Sequence, residues 1–276
     1  MQVGGSAPEL SVPVANFLRM IAPTEILDHD ETGSGPLAVC GHGLFFSRAV
    51  EARLGFLDWS PIARAGLRLV RYDARGHGRS PGRPDPDRYT FQQHGADLLG
   101  LLDHLGTDGP VHGLGSSMGS AALLWAAVTA PARFGRLVVV IPPRAWAERA
   151  TTAALYRGWA DQIDDAGVTP WLNSLRKVEP PPILSEVPDY PPEPDVADEV
   201  LSAVLRGVAA SDLPDLEALA GLTQPALILA WETDPGHPLS TAVRLAETLP
   251  NARMEVARTL PEVRAWGHRA AQFLTE

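Results

Sequence analysis

Cysteine and lysine are nearly absent from this 276-residue chain, in which Cys40 and Lys177 are the only examples of each. A single thiol excludes an intramolecular disulfide, and it excludes a zinc site built on several cysteine ligands. The 23 basic residues are therefore Lys177 and 22 scattered arginines, set against 33 acidic residues. Because the net charge is −10, electrostatic capture by nucleic acid or by an anionic membrane is disfavoured, and we expect neither as a partner.

Long apolar runs are missing as well, since no stretch approaches the ~18 apolar residues that a membrane span requires. The segment 1–20 also lacks the basic start and long apolar run of a secretory signal, so we expect a cytoplasmic protein. Apolar residues nevertheless make up 45% of the chain and charged residues only 20%, which is enough for a sizeable core. At ~150 residues per domain, the length allows one large domain or two small ones.

Short apolar runs alternate with helical patterns along most of the chain. The runs predicted as strands cover residues 36–41, 67–73, 110–115, 136–142, 224–231 and 251–257. Helices are predicted over residues 90–106, 117–130, 240–249 and 261–274. Because right-handed parallel crossovers place helices on both sides of a sheet, this alternation predicts an α/β fold with a doubly wound, mostly parallel sheet. Ligands of such sheets bind beyond the carboxyl ends of the strands.

One proline-rich segment interrupts the alternation. Eight prolines fall between Pro170 and Pro194, where no helix or central strand can run uninterrupted. The sequence therefore predicts an irregular insertion about two thirds of the way along the chain, acting as a lid on the sheet.

A G-x-S-x-G pattern stands between a predicted strand and a predicted helix, with Ser117 between Gly115 and Gly119. A sharp strand-to-helix turn forces its central serine into strained backbone geometry, and a Cβ at either glycine would clash with neighbouring elements. The turn exposes the serine hydroxyl at a helix N-terminus, where the helix dipole favours developing negative charge. This context indicates a nucleophile rather than a plain glycine-rich turn, and the spacing favours Ser117 over Ser116.

Acyl transfer also needs hydrogen-bond donors aimed at the developing oxyanion. The backbone N–H of Met118, directly after the serine, is one candidate. The second is the N–H of Leu44, which a turn at His42 and Gly43 presents after an earlier strand. A simpler interpretation, in which His42 caps a loop and Gly43 only turns it, stays open.

Three motifs in this order and spacing resemble the α/β-hydrolase superfamily: CGHGLFFS at 40–47, RYDARGHGRS at 71–80 and GLGSSMGS at 113–120. The resemblance runs from about Thr24 to Leu274. It implies that the HG turn forms the oxyanion hole, that the serine turn carries the nucleophile, and that the middle segment, with Asp73 and His77, is structural. It also implies a mainly helical cap at residues 144–211, inserted into a hydrolase core formed by residues 1–143 and 212–276.

The triad acid of this family lies just after the next-to-last strand, and the resemblance therefore assigns that role to Asp234 in the segment PALILAWETDPGHP. Asp234 before Pro235 is also a common opening of a helix, which gives it a second, structural interpretation. Glu232 is a less well placed substitute.

The histidine departs from the family pattern, because the segment MEVARTLPEVRAW, which joins the last strand to the last helix, contains none. Two other histidines are candidates for the base. His237 follows Asp234 by three residues on the same rim of the sheet, whereas His268 follows Gly267 but lies about two turns inside the last helix. We favour His237. The alternative is that neither acts, in which case Ser117 lacks the base that activates a hydroxyl.

Aromatic side chains are frequent in the cap segment, and Phe45 and Phe46 adjoin the oxyanion turn. The cap aromatics are Trp146, Tyr156, Trp159, Trp171 and Tyr190. They either line an apolar pocket of moderate size or pack the cap onto the core. The charged cap residues expected on a solvated face are Arg144, Arg149, Asp161, Asp164 and Asp165.

The first hypothesis is a serine hydrolase that cleaves an ester, lactone or thioester of a small hydrophobic substrate through an acyl-enzyme on Ser117. The missing histidine after the last strand favours two alternatives. One is a degenerate member of the fold that binds a small apolar ligand without hydrolysis. The other is a non-hydrolytic lyase or cyclase that uses the same pocket. No metal or organic cofactor is implied.

Overall fold

The described part of the protein is built on one seven-stranded sheet. The computed structural model describes residues 26–107, 109–234 and 236–276, so the predicted start of the core and the segment 1–20 lie outside the described residues. The strands are β1 (His29–Thr32), β2 (Leu37–Gly41), β3 (Arg68–Tyr72), β4 (Val111–Ser116), β5 (Phe134–Val140), β6 (Ala226–Trp231) and β7 (Ala252–Ala257). They lie in the order β1-β3-β2-β4-β5-β6-β7. Every neighbouring pair is parallel except β1 with β3.

Helices cover both faces of the sheet and form most of the segment between β5 and β6. They are α1 (Arg48–Leu54), α2 (Ser60–Arg64), α3 (Phe91–His104), α4 (Met118–Thr129), α5 (Arg149–Ala166), α6 (Val168–Leu175), α7 (Asp198–Ala209), α8 (Leu216–Ala220), α9 (Leu239–Thr248), α10 (Leu260–Arg264) and α11 (Trp266–Thr275). Single 3₁₀ turns lie at Pro86–Tyr89, Pro131–Arg133, Trp146–Glu148 and Pro182–Leu184. None of these helices combines the length and apolar character needed to cross a membrane.

The predicted fold class is confirmed. The first and last residues of each predicted strand lie within about two residues of those of an observed strand. The sequence interpretation missed β1, because this four-residue antiparallel edge strand is polar and only half-buried. It also missed α1 and α2, which are too short to show a full helical period. The predicted last helix is two helices that meet at Ala265.

The two faces of the sheet carry separate apolar cores, as a doubly wound sheet requires. Alternate residues of β2 point to opposite sides: Val39 packs in the core beneath α3 and α4, whereas Ala38 and Cys40 pack in the core beneath α1, α2 and α11. Strands β2 and β6 are buried along their whole length. The single thiol is therefore buried in this core, and burial raises the pKa of Cys40.

One expectation about the cap was wrong: Arg149 is buried rather than part of a solvated face. Its Nε donates to the carbonyl oxygen of Ser211 at 2.7 Å and its Nη2 to that of Val208 at 2.5 Å. Its guanidinium carbon also lies 4.9 Å from the centroid of the Phe91 ring. A buried cation needs such partners, and these contacts join the start of α5 to the end of α7.

The acidic residues of the cap behave as expected. Asp161 and Asp164 on α5 are exposed and both accept hydrogen bonds from Arg206 on α7. Asp165 is exposed as well, while the Arg144 side chain is about a quarter exposed, at 24%. The solvated face is therefore formed by the acidic side of α5.

Candidate active site

Ser117 occupies a sharp turn between β4 and α4. Its backbone has φ +51° and ψ −111°, in a region that L-residues rarely adopt. The turn is held from both sides, because the Ser117 N–H donates to the carbonyl oxygen of Val140 on β5 at 3.0 Å, and the Ser117 carbonyl accepts from the N–H groups of Ser120 and Ala121. The hydroxyl does not cap α4, so it stays available at the helix N-terminus.

The two glycines of the turn allow contacts that no side chain would permit. A Cβ at Gly115 would lie 2.2 Å from the carbonyl oxygen of Gly119, and a Cβ at Gly119 would lie 2.3 Å from the carbonyl oxygen of Gly41. The first turn of α4 therefore packs directly on β4 and on the end of β2. This is the steric reason for the G-x-S-x-G pattern.

We expect Gly119→Ala to damage both stability and activity, because the new methyl group must displace the end of β2 and the turn that follows it. Overpacking of this kind costs about 2 kcal/mol, measurable by urea unfolding. A shift of about 1 Å at the reacting groups lowers kcat/KM about 100-fold. The matched control is Gly158→Ala on α5, where the added Cβ meets no other atom within 4 Å. Equal effects of the two substitutions would contradict this interpretation.

The structure brings Ser117, His237 and Asp234 together. The side chain of His237 lies with Nε2 2.8 Å from Ser117 Oγ and Nδ1 2.7 Å from Asp234 Oδ2. Because a carboxylate only accepts hydrogen bonds, Nδ1 carries the proton and Nε2 is left to accept the serine hydroxyl proton. The three side chains thus form a hydrogen-bonded chain in the order of a catalytic triad.

The Asp234 carboxylate is held in its ionised form by the loop that carries it. Its Oδ1 accepts from the N–H of Gly236 at 2.7 Å and from the N–H of His237 at 3.1 Å. Burial by itself raises the pKa of this carboxyl, but the charge and hydrogen bond of His237 and these two N–H groups hold the net pKa below its usual range. A fixed anion here orients the imidazole and stabilises its protonated form.

Topology explains why a loop after β6 can supply both the acid and the histidine. Strands β4 and β6 flank β5, so the loops at their carboxyl ends meet above the same strand. The segment between β7 and α10 contains no histidine, and there Thr259 and Glu262 form a capping box that starts α10.

The alternatives offered by the sequence lie elsewhere. His268 is exposed on α11, and the neighbouring Gly267 packs against the backbone of Asp58. Glu232 accepts a hydrogen bond from Nε of Arg258 at 2.8 Å. The structure does not bring either side chain to Ser117.

The HG turn after β2 lies against the serine turn. The Gly119 N–H donates to the carbonyl oxygen of His42 at 3.0 Å, and a Cβ at Gly43 would lie 3.5 Å from Ser117 Cβ. Leu44 directly follows Gly43, and Met118 directly follows Ser117. The backbone N–H of neither residue donates to another residue in the described ranges. Two backbone donors beside the serine hydroxyl are what an oxyanion hole requires.

His42 fixes the shape of this turn rather than taking part in proton transfer. It is buried, its Nε2 accepts from the Ala74 N–H at 2.9 Å, and its Nδ1 donates to the carbonyl oxygen of Gly43 at 2.8 Å. Burial lowers the pKa of His42, so the ring stays neutral in this arrangement. The loop-capping interpretation of His42 and its supporting role at the oxyanion turn are therefore compatible.

The segment after β3 has structural contacts. Asp73 accepts from the backbone N–H groups of Arg48 and Arg79, and buried Arg75 forms an ion pair with Asp97 on α3. His77 is completely buried, and its Nδ1 donates to the carbonyl oxygen of Arg75 at 2.8 Å.

The structure also links the predicted cap segment to the HG turn after β2, a contact that the sequence did not indicate. Asp195 precedes α7, its N–H donates to the carbonyl oxygen of Phe45 at 2.8 Å, and its Oδ2 accepts from the hydroxyl of Ser47 at 2.6 Å. Phe45 has φ +69° and its ring lies 5.6 Å from that of Trp171, measured between centroids. The residue after Leu44 is thus held in place by the cap, and no local sequence signal points to this contact.

The sequence left open whether the aromatic side chains of the cap segment pack against the core or line a pocket, and their burial differs from one residue to the next. Trp171 is almost fully buried and packs against Trp159, at 5.9 Å between ring centroids. Tyr156 packs against Trp159 as well, and both are partly exposed. Within the described ranges, no group of three or more His, Cys, Asp or Glu side chains is arranged to hold a metal ion.

The chain is similar to known proteins in both sequence and fold. The family model described as alpha/beta hydrolase fold matches residues 39–259, which include the HG turn, Ser117, Asp234 and His237. A thermophilic esterase from Thermogutta terrifontis superimposes with a TM-score of 0.69 at 21% identity, over 90% of this chain and 91% of the esterase.

Two curated relatives are similar in sequence. The chain is 26% identical over 197 residues to 3-oxoadipate enol-lactonase 2 of Acinetobacter baylyi, covering 68% of this chain and 69% of the relative. It is 37% identical over 151 residues to the sn-1-specific diacylglycerol lipase ABHD11 of Mus musculus, covering 50% of this chain and 46% of the lipase.

Proposed function

The chain belongs to the alpha/beta hydrolase fold family and is a hydrolase, and from that premise we propose that it cleaves ester-type bonds through an acyl-enzyme on Ser117. The observation that carries the proposal is the position of His237, whose Nε2 lies 2.8 Å from Ser117 Oγ while its Nδ1 lies 2.7 Å from Asp234 Oδ2. A serine hydroxyl is a weak nucleophile until an adjacent base takes its proton. The contact supports His237 as that base, although the segment after β7 has no histidine.

The proposed reaction proceeds in two halves. Ser117 Oγ attacks the carbonyl carbon while His237 Nε2 takes the hydroxyl proton, and the N–H groups of Leu44 and Met118 receive the negative oxygen. His237 then gives the proton to the leaving oxygen or sulfur as the acyl-enzyme forms. Water, activated by the same imidazole, releases the acid in the second half. Asp234 keeps the ring oriented throughout and stabilises its charged form.

The substrate class follows from the surroundings of the serine and from the relatives. Aromatic rings of the cap approach the oxyanion turn, which favours a small hydrophobic acyl or alcohol group. The names enol-lactonase, lipase and esterase among similar proteins favour an ester or a lactone, with a thioester as the chemically related alternative. The acidic net charge and the single buried thiol support a cytoplasmic enzyme whose partner is a small molecule, rather than nucleic acid or a membrane.

A panel of acyl compounds tests this proposal. We expect p-nitrophenyl acetate, butyrate and octanoate, a matching thioester and a small lactone to include at least one compound that is turned over. A pre-steady-state burst of one p-nitrophenol per active site is expected wherever release of the acyl group is slow. The proposal would fail if no member of the panel reacted above the buffer rate while an apolar fluorescent ligand still bound.

A further inference from the structure

Helix α1 carries a buried carboxyl group that the proposed reaction does not use. Glu51 is only 4% exposed, although it stands in a helix of seven residues near the protein surface. The helix begins directly after the oxyanion turn, where the hydroxyl of Ser47 accepts the N–H of Val50. A buried carboxyl group is costly unless it has hydrogen-bond partners, so its contacts indicate what retains it.

One hydrogen-bond donor to Glu51 is Ser116, the residue directly before the proposed nucleophile. The hydroxyl of Ser116, at the end of β4, donates to Glu51 Oε1 at 3.1 Å. Ser116 is also buried, with 1% of its surface exposed, so the bond lies out of solvent. It joins α1, which follows the oxyanion turn, to the strand end that holds Ser117 in its strained conformation. This hydrogen bond thereby connects the two parts of the proposed site, which are the oxyanion turn before α1 and the serine turn after β4.

The polar and charged groups that act on Glu51 come from several neighbouring elements. Cys40 approaches from β2, Arg71 from β3, Asp73 from the loop after β3, and Trp59 from the turn before α2. Burial raises the pKa of Glu51 to about 7, and the hydrogen bond from Ser116 and the charge of Arg71 only partly offset that rise. The carboxyl group therefore changes charge within the physiological range of pH.

We propose that Glu51 is a positioning residue of this active site, which holds the nucleophile turn through Ser116 and supports the reaction in its neutral form. This inference rests on the proposed acyl-enzyme function. When Glu51 ionises, a buried negative charge adjoins Ser116, two residues from the oxyanion donor Met118. Such a charge opposes the negative oxygen that forms in the transition state.

The test compares the wild type with Glu51→Gln, Glu51→Leu and Ser116→Ala. Glu51→Gln keeps an oxygen acceptor for Ser116 but cannot ionise, and we expect it to retain the wild-type kcat below pH 6. Glu51→Leu and Ser116→Ala remove the bond, and we expect kcat to fall about tenfold with little change in KM. Leu54→Ala, a buried truncation in the same helix, is the control for a general loss of packing.

The pH dependence of the rate gives a second measurement, which would not change if Glu51 had only a structural role. The ratio of wild-type to Glu51→Gln rates cancels any pH dependence that the two proteins share. We expect this ratio to be constant below pH 6 and to fall about fivefold between pH 6 and 9, as Glu51 ionises. A ratio that stays flat up to pH 9 overturns the proposal, as does a loss in Leu54→Ala as large as that in Ser116→Ala.

Hydrogen exchange separates failure of this inference from failure of the proposed function. We expect Ser116→Ala and Glu51→Leu to speed exchange of the amides in residues 116–121 more than Leu54→Ala does. If the wild type shows no turnover, the proposed function is wrong, and hydrogen exchange alone then tests whether Glu51 positions the serine turn. Faster exchange at the turn then supports positioning by Glu51, and unchanged exchange overturns it.

Discussion

Replacing Ser117 by Ala is expected to lower kcat by about 10⁵-fold to 10⁶-fold on any ester that the wild type hydrolyses. The reason is that the proposed acyl-enzyme forms on Ser117 Oγ, and among the described residues no other hydroxyl is hydrogen-bonded to Nε2 of His237. We expect a residual activity of about 10³-fold over water, because the proposed oxyanion donors, the N–H groups of Leu44 and Met118, are kept in this variant. Steady-state kinetics with a p-nitrophenyl ester measures this loss.

Ser116→Ala is the matched control for that substitution. Ser116 is the adjacent residue, yet its hydroxyl donates to Glu51 rather than to His237. We expect its removal to cost about tenfold, several orders of magnitude less than the loss in Ser117→Ala. Comparable losses at the two serines would show that the nucleophile has been assigned to the wrong residue.

Replacing His237 by Ala is expected to lower kcat by about 10⁵-fold, because the hydroxyl proton then has no acceptor. The side chain of His237 is 23% exposed, so its removal leaves a small gap at the surface of the site rather than a cavity in the core. We expect the unfolding midpoint in urea to change little. The loss should therefore appear in turnover while the fold persists, which circular dichroism checks.

His268→Ala is the control for the choice of base. This histidine is exposed on α11 and outside the triad, so we expect its removal to leave kcat within about twofold, as for most exposed sites. The double variant Ser117→Ala with His237→Ala should be no slower than either single variant, since triad members act as a unit. Additive losses in the double variant, or a large loss in His268→Ala, would contradict the account.

The sheet and the serine turn could be predicted from sequence because both depend on local patterns. A strand buried on both faces is a short apolar run, and the packing distances around Gly115 and Gly119 forbid side chains there. The polar edge strand β1 and the short helices α1 and α2 carry no such pattern. Their positions are set by pairing with β3 and by packing against the sheet, which are contacts made across the chain.

The proposed base was harder to predict from sequence than the proposed nucleophile, because its position depends on two loops that are distant in sequence. His237 and Ser117 are 120 residues apart, and they meet because β4 and β6 flank β5. The spacing of Asp234 and His237 allows a side-chain contact within one loop, but sequence alone does not show which way the imidazole turns. Glu51 and Asp195 gave no signal at all, since each acts through a contact with a distant element.

The central claim is that Ser117 is a nucleophile activated by His237, and covalent labelling with a fluorophosphonate tests it most directly. We expect one adduct per chain on the wild type, located at Ser117 by mass spectrometry of peptides. Labelling should be lost in Ser117→Ala, fall by orders of magnitude in His237→Ala, and persist in His268→Ala. A folded wild-type protein that takes up no label, or that takes it up at a residue other than Ser117, would contradict the claim.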